Sequence, residues 1–109
     1  MTDAIIDWAE STKIAGNNIE AAKEFIHLLA EHLTIELKII HEAYVTNNFS
    51  TLKKQIHSLR GALCYCSVPR LKHATISFEN ALKTNSLHIA DLYTQFKNEI
   101  KILLEKIKE

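Results

Sequence analysis

The sequence predicts an all-α fold, an antiparallel up-down-up-down four-helix bundle with a short additional N-terminal helix. Apolar residues recur at steps of three and four through most of the 109 residues, which is the period of an α-helix. Two glycines and one proline are few turn residues for this length, so the segments between breaks are long. The breaks themselves are short, and short connections favour antiparallel neighbours.

Residues 1–109 are predicted to form a single domain with one hydrophobic core. Thirteen basic side chains balance thirteen acidic ones, which argues against nonspecific binding of nucleic acid or an anionic membrane and favours protein partners. Because there is no apolar run of about 18 residues and no signal-peptide pattern, the chain is expected to be cytoplasmic. Cys64 and Cys66 lie too close together in the sequence for a disulfide between them to stabilise the fold, and both are expected to be reduced thiols.

The first two helices are predicted from a cap and an apolar seam. Asp7 followed by Glu10 has the form of a capping box ahead of a helix over residues 8–15, and Gly16 suits a left-handed helix end. A long second helix is predicted to end near Val45. Its buried seam consists of Ala22, Ile26, Leu29, Leu33, Leu37, Ile40 and Tyr44.

Three more helices complete the predicted bundle. The third begins at residue 49 or 50, and its seam consists of Leu52, Ile56, Leu59, Leu63 and Cys66. Ser67 is predicted to cap a fourth helix over residues 69–83, with Pro69 in the first turn, where its missing N–H costs nothing. The fourth stripe consists of Leu71, Ala74, Phe78 and Leu82. The last helix runs from Ile89 almost to the C-terminus.

One of the six histidines differs from the others in its neighbours at helical spacing. Lys53 precedes His57 by four residues, and Arg60, Gly61 and Cys64 follow it by three, four and seven. All of them project from one side of the third predicted helix. That side lies about 100° from the buried seam, so we expect His57 at the edge of the core, fixed by packing but open to solvent.

These residue types suit the transfer of a phosphoryl group. A neutral histidine, with its usual pKa of about 6.5, keeps one ring nitrogen free as a nucleophile. Arg60 and Lys53 supply positive charge for the phosphoryl oxygens. A glycine inside a helix costs about 1 kcal/mol relative to alanine, so Gly61 indicates that space is needed for the phosphoryl group and an approaching backbone.

A six-residue segment resembles the H-x-[LI]-[KR]-G-[SA] signature of histidine-containing phosphotransfer (Hpt) domains. It is His57-Ser58-Leu59-Arg60-Gly61-Ala62. The resemblance covers essentially the whole chain and is closest to the C-terminal Hpt domain of BarA/GacS/LetS-type tripartite hybrid sensor histidine kinases. The flanking segments that share it are Ile6-Asp7-Trp8, Tyr65, Val68-Pro69-Arg70 and Phe78-Glu79. Ser67 departs from the family pattern, in which many members have glycine ten residues after the histidine.

The resemblance implies that His57 is the phosphorylated residue of a bacterial two-component phosphorelay. It would accept the group from the aspartate of one receiver domain and pass it to the aspartate of another. Arg60 would steady the phosphohistidine, and Gly61 would give access to it. Lys53 would help electrostatically. Glu79 would either hydrogen-bond the other ring nitrogen and set its tautomer or form only a structural polar contact.

The resemblance also implies that the chain has no cofactor of its own and that the partner receiver supplies Mg²⁺. The sequence has no glycine-rich phosphate loop, so no autonomous ATP-dependent kinase activity is expected. The expected partners are receiver domains of a parent hybrid kinase and of a response regulator. The chain would act as a monomer in the cytoplasmic part of an inner-membrane sensor kinase, without touching nucleic acid or the membrane directly.

Other interpretations stay open at the level of sequence. A helical adaptor could bind a receiver without transferring phosphoryl, and such a protein need not keep His57. A metal-binding bundle would use the other histidines, although no two lie at the i,i+4 spacing. Ile5, Ile6 and Trp8 are predicted either to offer a receiver an apolar patch beside His57 or only to pack in the core.

Overall fold

In the computed structural model, which describes residues 4–108, the chain is helical with no strand in that range. The five helices are α1 (Trp8–Ile14), α2 (Ile19–Val45), α3 (Phe49–Ala62), α4 (Pro69–Thr84) and α5 (Ile89–Lys108). A single 3-10 turn, Leu63–Tyr65, separates α3 from the link to α4. None of the helices described is both long and apolar enough to cross a membrane.

The helices α2 to α5 form a closed ring, in which each packs on the next and α5 packs back on α2. Successive helices run in opposite directions. Arg70, at the start of α4, pairs with Glu99 in the second half of α5, whereas Phe78, later in α4, stacks on Tyr93 near the start of α5. The predicted up-down-up-down bundle is confirmed, with α1 as the additional helix.

The predicted seams meet inside this ring. Four rings stack there in the order Tyr44, Tyr93, Phe78 and Phe96, with successive ring centroids 3.9 to 5.5 Å apart. Burial of a large apolar side chain contributes roughly 1.5–3 kcal/mol. These residues therefore help to hold α2, α4 and α5 together.

Polar side chains begin three of the helices. Asp7, Asn18 and Asn48 each accept a hydrogen bond from the backbone N–H three residues later, at 3.0, 3.1 and 3.3 Å. The cap at Asp7 agrees with the sequence, but the reciprocal half of the capping box does not form because the Asp7 N–H donates to the Ser67 carbonyl. Gly16 takes the left-handed conformation expected of it, with φ of 74°.

The end of α3 differs from the prediction. The helix ends at Ala62, although its predicted seam runs on to Cys66. Leu63 and Cys66 are still buried, one from the 3-10 turn and the other from extended backbone. Apolar residues at helical spacing thus reach the core even where the chain has left the helix. Gly61 is consequently the next-to-last residue of α3 and not a residue of its middle.

Ser67 does not cap α4, and that prediction was wrong. The N-cap is Val68, which offers no side-chain hydrogen bond. A residue before proline avoids the helical conformation, so the helix begins only at Pro69. Ser67 is held by α1 instead, because its N–H donates to the Ser11 hydroxyl at 2.9 Å and its carbonyl accepts from the Asp7 N–H.

Candidate functional site

His57 lies on α3 at the edge of the core, where the sequence predicts it. Its neighbours Ile56 and Leu59 are buried, while 73% of its own side chain is exposed. The ring is nevertheless held, because its Nδ1 atom lies 2.8 Å from Oε2 of Glu79 on α4. The other ring nitrogen, Nε2, is left for a partner from outside the chain.

Glu79 is the centre of a small charged cluster between α3 and α4. Its side chain is only 2% exposed. Oε1 accepts a hydrogen bond from Nη1 of Arg60 at 2.7 Å, and Oε2 lies 3.8 Å from Nζ of Lys83 in addition to its contact with His57. Both oxygens of this buried carboxylate therefore have partners, as a buried charge requires.

Helical spacing on two facing helices produces this cluster. His57 and Arg60 lie three residues apart on α3, and Glu79 and Lys83 lie four apart on α4, so the members of each pair share a face. Phe78 is fully buried, which places the next residue of α4 one step round from the core, towards α3. The core packing thereby aims Glu79 at His57.

The cluster keeps Glu79 ionised. Burial alone would raise the pKa of this carboxyl, but hydrogen bonds from Arg60 and His57, together with the charges of Lys83 and Arg60, lower the pKa below its ordinary value. A carboxylate only accepts hydrogen bonds, so its bond to His57 places the proton on Nδ1. In a neutral ring the free lone pair is then on Nε2, which is the nucleophilic nitrogen.

Gly61 lies on the exposed surface of α3, one turn after His57. A Cβ atom added there would have no neighbouring atom within 4 Å, the backbone of the helix itself aside. The packing of this chain therefore does not require glycine, and near a helix end glycine costs less than it does in the middle. The missing side chain leaves a low surface beside His57 for a molecule outside the chain.

Two predicted neighbours of His57 stand apart from the cluster. Lys53 is exposed and forms no hydrogen bond or ion pair within the described residues. Cys64 is also exposed, and its thiol lies 3.8 Å from the carbonyl oxygen of Arg60. Cys66 is buried, which raises the pKa of its thiol to about 11. Both cysteines are free thiols, as expected.

An apolar groove opens between α2 and the end of α3, next to Gly61. We call it the α2–α3 groove; its volume is about 310 Å³ and its lining includes Phe25, Leu28, Ala62 and Tyr65. Tyr65 is 67% exposed and Leu28 is 53% exposed. Large apolar side chains gathered at a surface are typical of sites that bind another protein.

The N-terminal segment is a weaker candidate for such a surface. Ile5 and Ile6 are partly buried and pack against the hydrophobic core, as the second of their two interpretations predicts. Trp8, in contrast, stays exposed on α1.

Two features of the region were not predicted from the sequence. Lys83 was missed, although its spacing of four residues from Glu79 was an available signal. The α2–α3 groove was missed because Phe25 and Leu28 lie off the buried seam of α2. How the end of α3 lies against them depends on tertiary packing, which periodicity does not specify.

The remaining histidines do not assemble a metal site. In residues 4–108 no group of three His, Cys, Asp or Glu side chains is placed to hold a metal ion. Nδ1 of His41 lies 2.8 Å from the Tyr93 hydroxyl, and Nε2 of His32 lies 3.8 Å from a carboxylate oxygen of Glu36. The geometry therefore gives no support to a metal-binding bundle.

Comparison with known proteins identifies the family of the chain. The family model described as "Hpt domain" matches residues 19–109. Sensor protein GacS of Pseudomonas syringae pv. syringae is 30% identical over 84 residues, which is 77% of this chain and 9% of that protein. Sensor histidine kinase GacS of Pseudomonas protegens is 29% identical over 79 residues, which is 72% of this chain and 9% of that protein. The chain thus spans about a tenth of the length of these relatives.

A solved structure has the same fold. It is the crystal structure of the HPT domain from the Hpt sensor hybrid histidine kinase from Shewanella, with a TM-score of 0.83. The match covers 95% of this chain and 91% of that one at 24% sequence identity.

Proposed function

This chain belongs to the Hpt domain family, and we propose that it is a phosphorelay intermediate of a bacterial two-component system. His57 accepts a phosphoryl group from the aspartate of one receiver domain and passes it to the aspartate of another. The observation that carries this proposal is the bond between His57 and the buried, ionised Glu79, which leaves Nε2 exposed and nucleophilic.

The groups at this site and the partner's acyl phosphate supply the bonds that form and break in the transfer. The lone pair on Nε2 attacks phosphorus, the N–P bond forms, and the aspartyl oxygen leaves as a carboxylate. The ring gains positive charge while its Nδ1 proton remains hydrogen-bonded to Glu79, whose negative charge stabilises the ring. In the second transfer a carboxylate oxygen of the other receiver's aspartate attacks phosphorus, the O–P bond forms, and the N–P bond breaks. The ring leaves as neutral imidazole, with its proton still on Nδ1.

The neighbouring residues have supporting roles in this proposal. Arg60, one turn from His57, neutralises charge on the phosphoryl oxygens. Gly61 lets the backbone of the receiver approach the ring. Lys53 acts at longer range, as one of the cations of a helix that contains no acidic side chain. The phosphoryl group of a receiver is anionic, so such a surface attracts it.

The receiver is proposed to dock over Gly61 and into the α2–α3 groove. The groove borders Ala62, the residue after Gly61, so one partner can cover both the groove and the ring of His57. Mg²⁺, held by the acidic pocket of the receiver, would neutralise charge on the moving phosphoryl group. The chain is proposed to need no cofactor of its own.

The partners are inferred from the relatives, two GacS sensor proteins that are roughly eight to nine times as long as this chain. We propose that the chain is the relay module of a hybrid sensor histidine kinase, without ATP-dependent kinase activity of its own. It would act as a monomer in the cytoplasm and serve the receiver of the parent kinase and that of a response regulator.

The test is transfer of a radiolabelled phosphoryl group from a phosphorylated receiver domain in the presence of Mg²⁺. We expect a label on the chain that is lost in acid and stable in base, absent from His57→Ala and retained by His73→Ala, whose histidine is exposed on α4. Receiver binding without any label would favour the non-transferring adaptor. A label retained by His57→Ala would contradict the assignment of His57.

A further inference from the structure

Glu79 has two cationic partners that hold it unequally. Arg60 donates to it at 2.7 Å, whereas the ammonium group of Lys83 lies at 3.8 Å on a side chain that is 56% exposed. Arg60 is the cation proposed above to neutralise the phosphoryl group. In the resting chain, however, its guanidinium donates to Glu79 through Nη1, so a phosphoryl group on His57 would compete with Glu79 for the same positive charge.

We propose that Lys83 is a second positioning residue, which takes over the neutralisation of Glu79 when Arg60 turns to the phosphoryl group on His57. This inference rests on the proposed phosphorelay function. A buried carboxylate that loses a charged partner without replacement is strongly destabilised. Lys83 lies one turn from Glu79 on α4 and has a flexible side chain, so it can close the remaining distance.

The charges of the site are consistent with this exchange. In the resting state one carboxylate faces two cations and a neutral ring. Phosphorylation adds two negative charges and, with the proton retained on Nδ1, one positive charge on the ring. Arg60 on the phosphoryl group and Lys83 on Glu79 then give each anion its own cation. Lys53 is a poorer candidate than Lys83 for neutralising Glu79. It forms no ion pair with Glu79, and it lies on α3 with Arg60 and not on α4 with Glu79.

The exchange makes the importance of Lys83 depend on the phosphorylation state. Before phosphorylation Arg60 donates to Glu79 at the shorter distance, so Lys83→Met should change the ¹⁵N chemical shift of His57 Nδ1 less than it does after phosphorylation. After phosphorylation the same substitution should shift the Nδ1 resonance. It should also lower the fraction of phosphoryl groups on His57, at equilibrium with the receiver, by about two- to fivefold, the range expected for a partly exposed ion pair.

Two variants control this experiment. Lys83→Arg keeps the charge and should retain the wild-type fraction of phosphoryl groups on His57. Lys101→Met removes an equal charge from an exposed position of α5 and should have no effect. A Lys83→Met variant with the wild-type fraction and Nδ1 shift would overturn the proposal, as would an equal loss in Lys101→Met. A wild-type chain that accepts no phosphoryl at all would instead overturn the proposed function itself.

Discussion

At the scale of single residues, Glu79 separates His57 from the other histidines that the structure describes. His41 also has a hydrogen-bonded Nδ1 atom, with the hydroxyl of Tyr93 as its partner. A hydroxyl both donates and accepts, so it does not fix a proton on Nδ1, whereas a carboxylate does. The proposed phosphoryl acceptor therefore differs from His41 in the charge of the group that holds its Nδ1 atom.

Replacing Glu79 by glutamine is expected to slow phosphoryl acceptance by roughly ten- to a hundredfold, since hydrogen bonds to charged groups are worth about 1.5–3 kcal/mol. The amide keeps the shape of the side chain but can accept from only one of its two partners, Arg60 or His57. The measurement is the single-turnover rate of transfer from a phosphorylated receiver. The control is Glu105→Gln, at an exposed position of α5. A wild-type rate in Glu79→Gln would mean that the charge is not needed.

The lowered pKa of Glu79 also predicts a pH-dependent contribution to stability. Because the pKa is lower in the folded chain than the unfolded value of about 4.3, ionised Glu79 stabilises the fold above that pH. The contribution is lost as the pH falls through the folded-state pKa. Urea titrations should find Glu79→Gln less stable than wild type at neutral pH, with a smaller difference near pH 3. A difference that stays constant would contradict the lowered pKa.

At the scale of elements, local signals in the sequence predict the helices well except where the chain leaves α3. Asp7 and the asparagines between the first three helices mark helix ends, and the helix bounds agree with these signals to within one or two residues. The link after α3 is held by a bond between Ser11 and Ser67, which lie 56 positions apart. No local pattern reports such a contact, so the end of α3 could not be predicted.

Ser11→Ala is expected to destabilise the fold by about 1–3 kcal/mol, because it leaves the Ser67 N–H without its partner in a part-buried position. The free energy of unfolding in urea measures the effect. Ser58→Ala is the matched control, since Ser58 is exposed on α3. Equal stability of the two variants would show that the bond to α1 does not stabilise the link.

At the scale of the whole molecule, three helices, α2, α3 and α4, contribute to the surface around His57. The motif on α3 predicts His57, Arg60 and Gly61 as neighbours, and Glu79 follows from the family resemblance. Lys83 could have been placed from its spacing of four residues from Glu79. The α2–α3 groove could not, because it depends on how α2 lies against α3. The sequence therefore predicts the fold and the position of the proposed acceptor, His57, at the edge of the core better than it predicts the surface around that residue.

The α2–α3 groove leads to a prediction about receiver binding. Leu28→Ala and Tyr65→Ala are each expected to weaken binding by about tenfold, the loss typical of a central apolar contact. Both side chains are mostly exposed, so the fold should remain stable. Calorimetric titration with the receiver measures the affinity, and Leu87→Ala, a fully exposed leucine between α4 and α5, is the control. Equal affinities for all three variants would place the docking surface elsewhere.

The most direct test of the central claim is to locate the phosphoryl group by NMR. The chain, labelled with ¹⁵N in its histidines, is phosphorylated by a receiver in the presence of Mg²⁺, and the ring nitrogen bonded to phosphorus is identified. We expect phosphorus on Nε2 of His57, with the Nδ1 proton retained by Glu79. Phosphorus on Nδ1 of His57, or on any other histidine, would contradict the role assigned to Glu79.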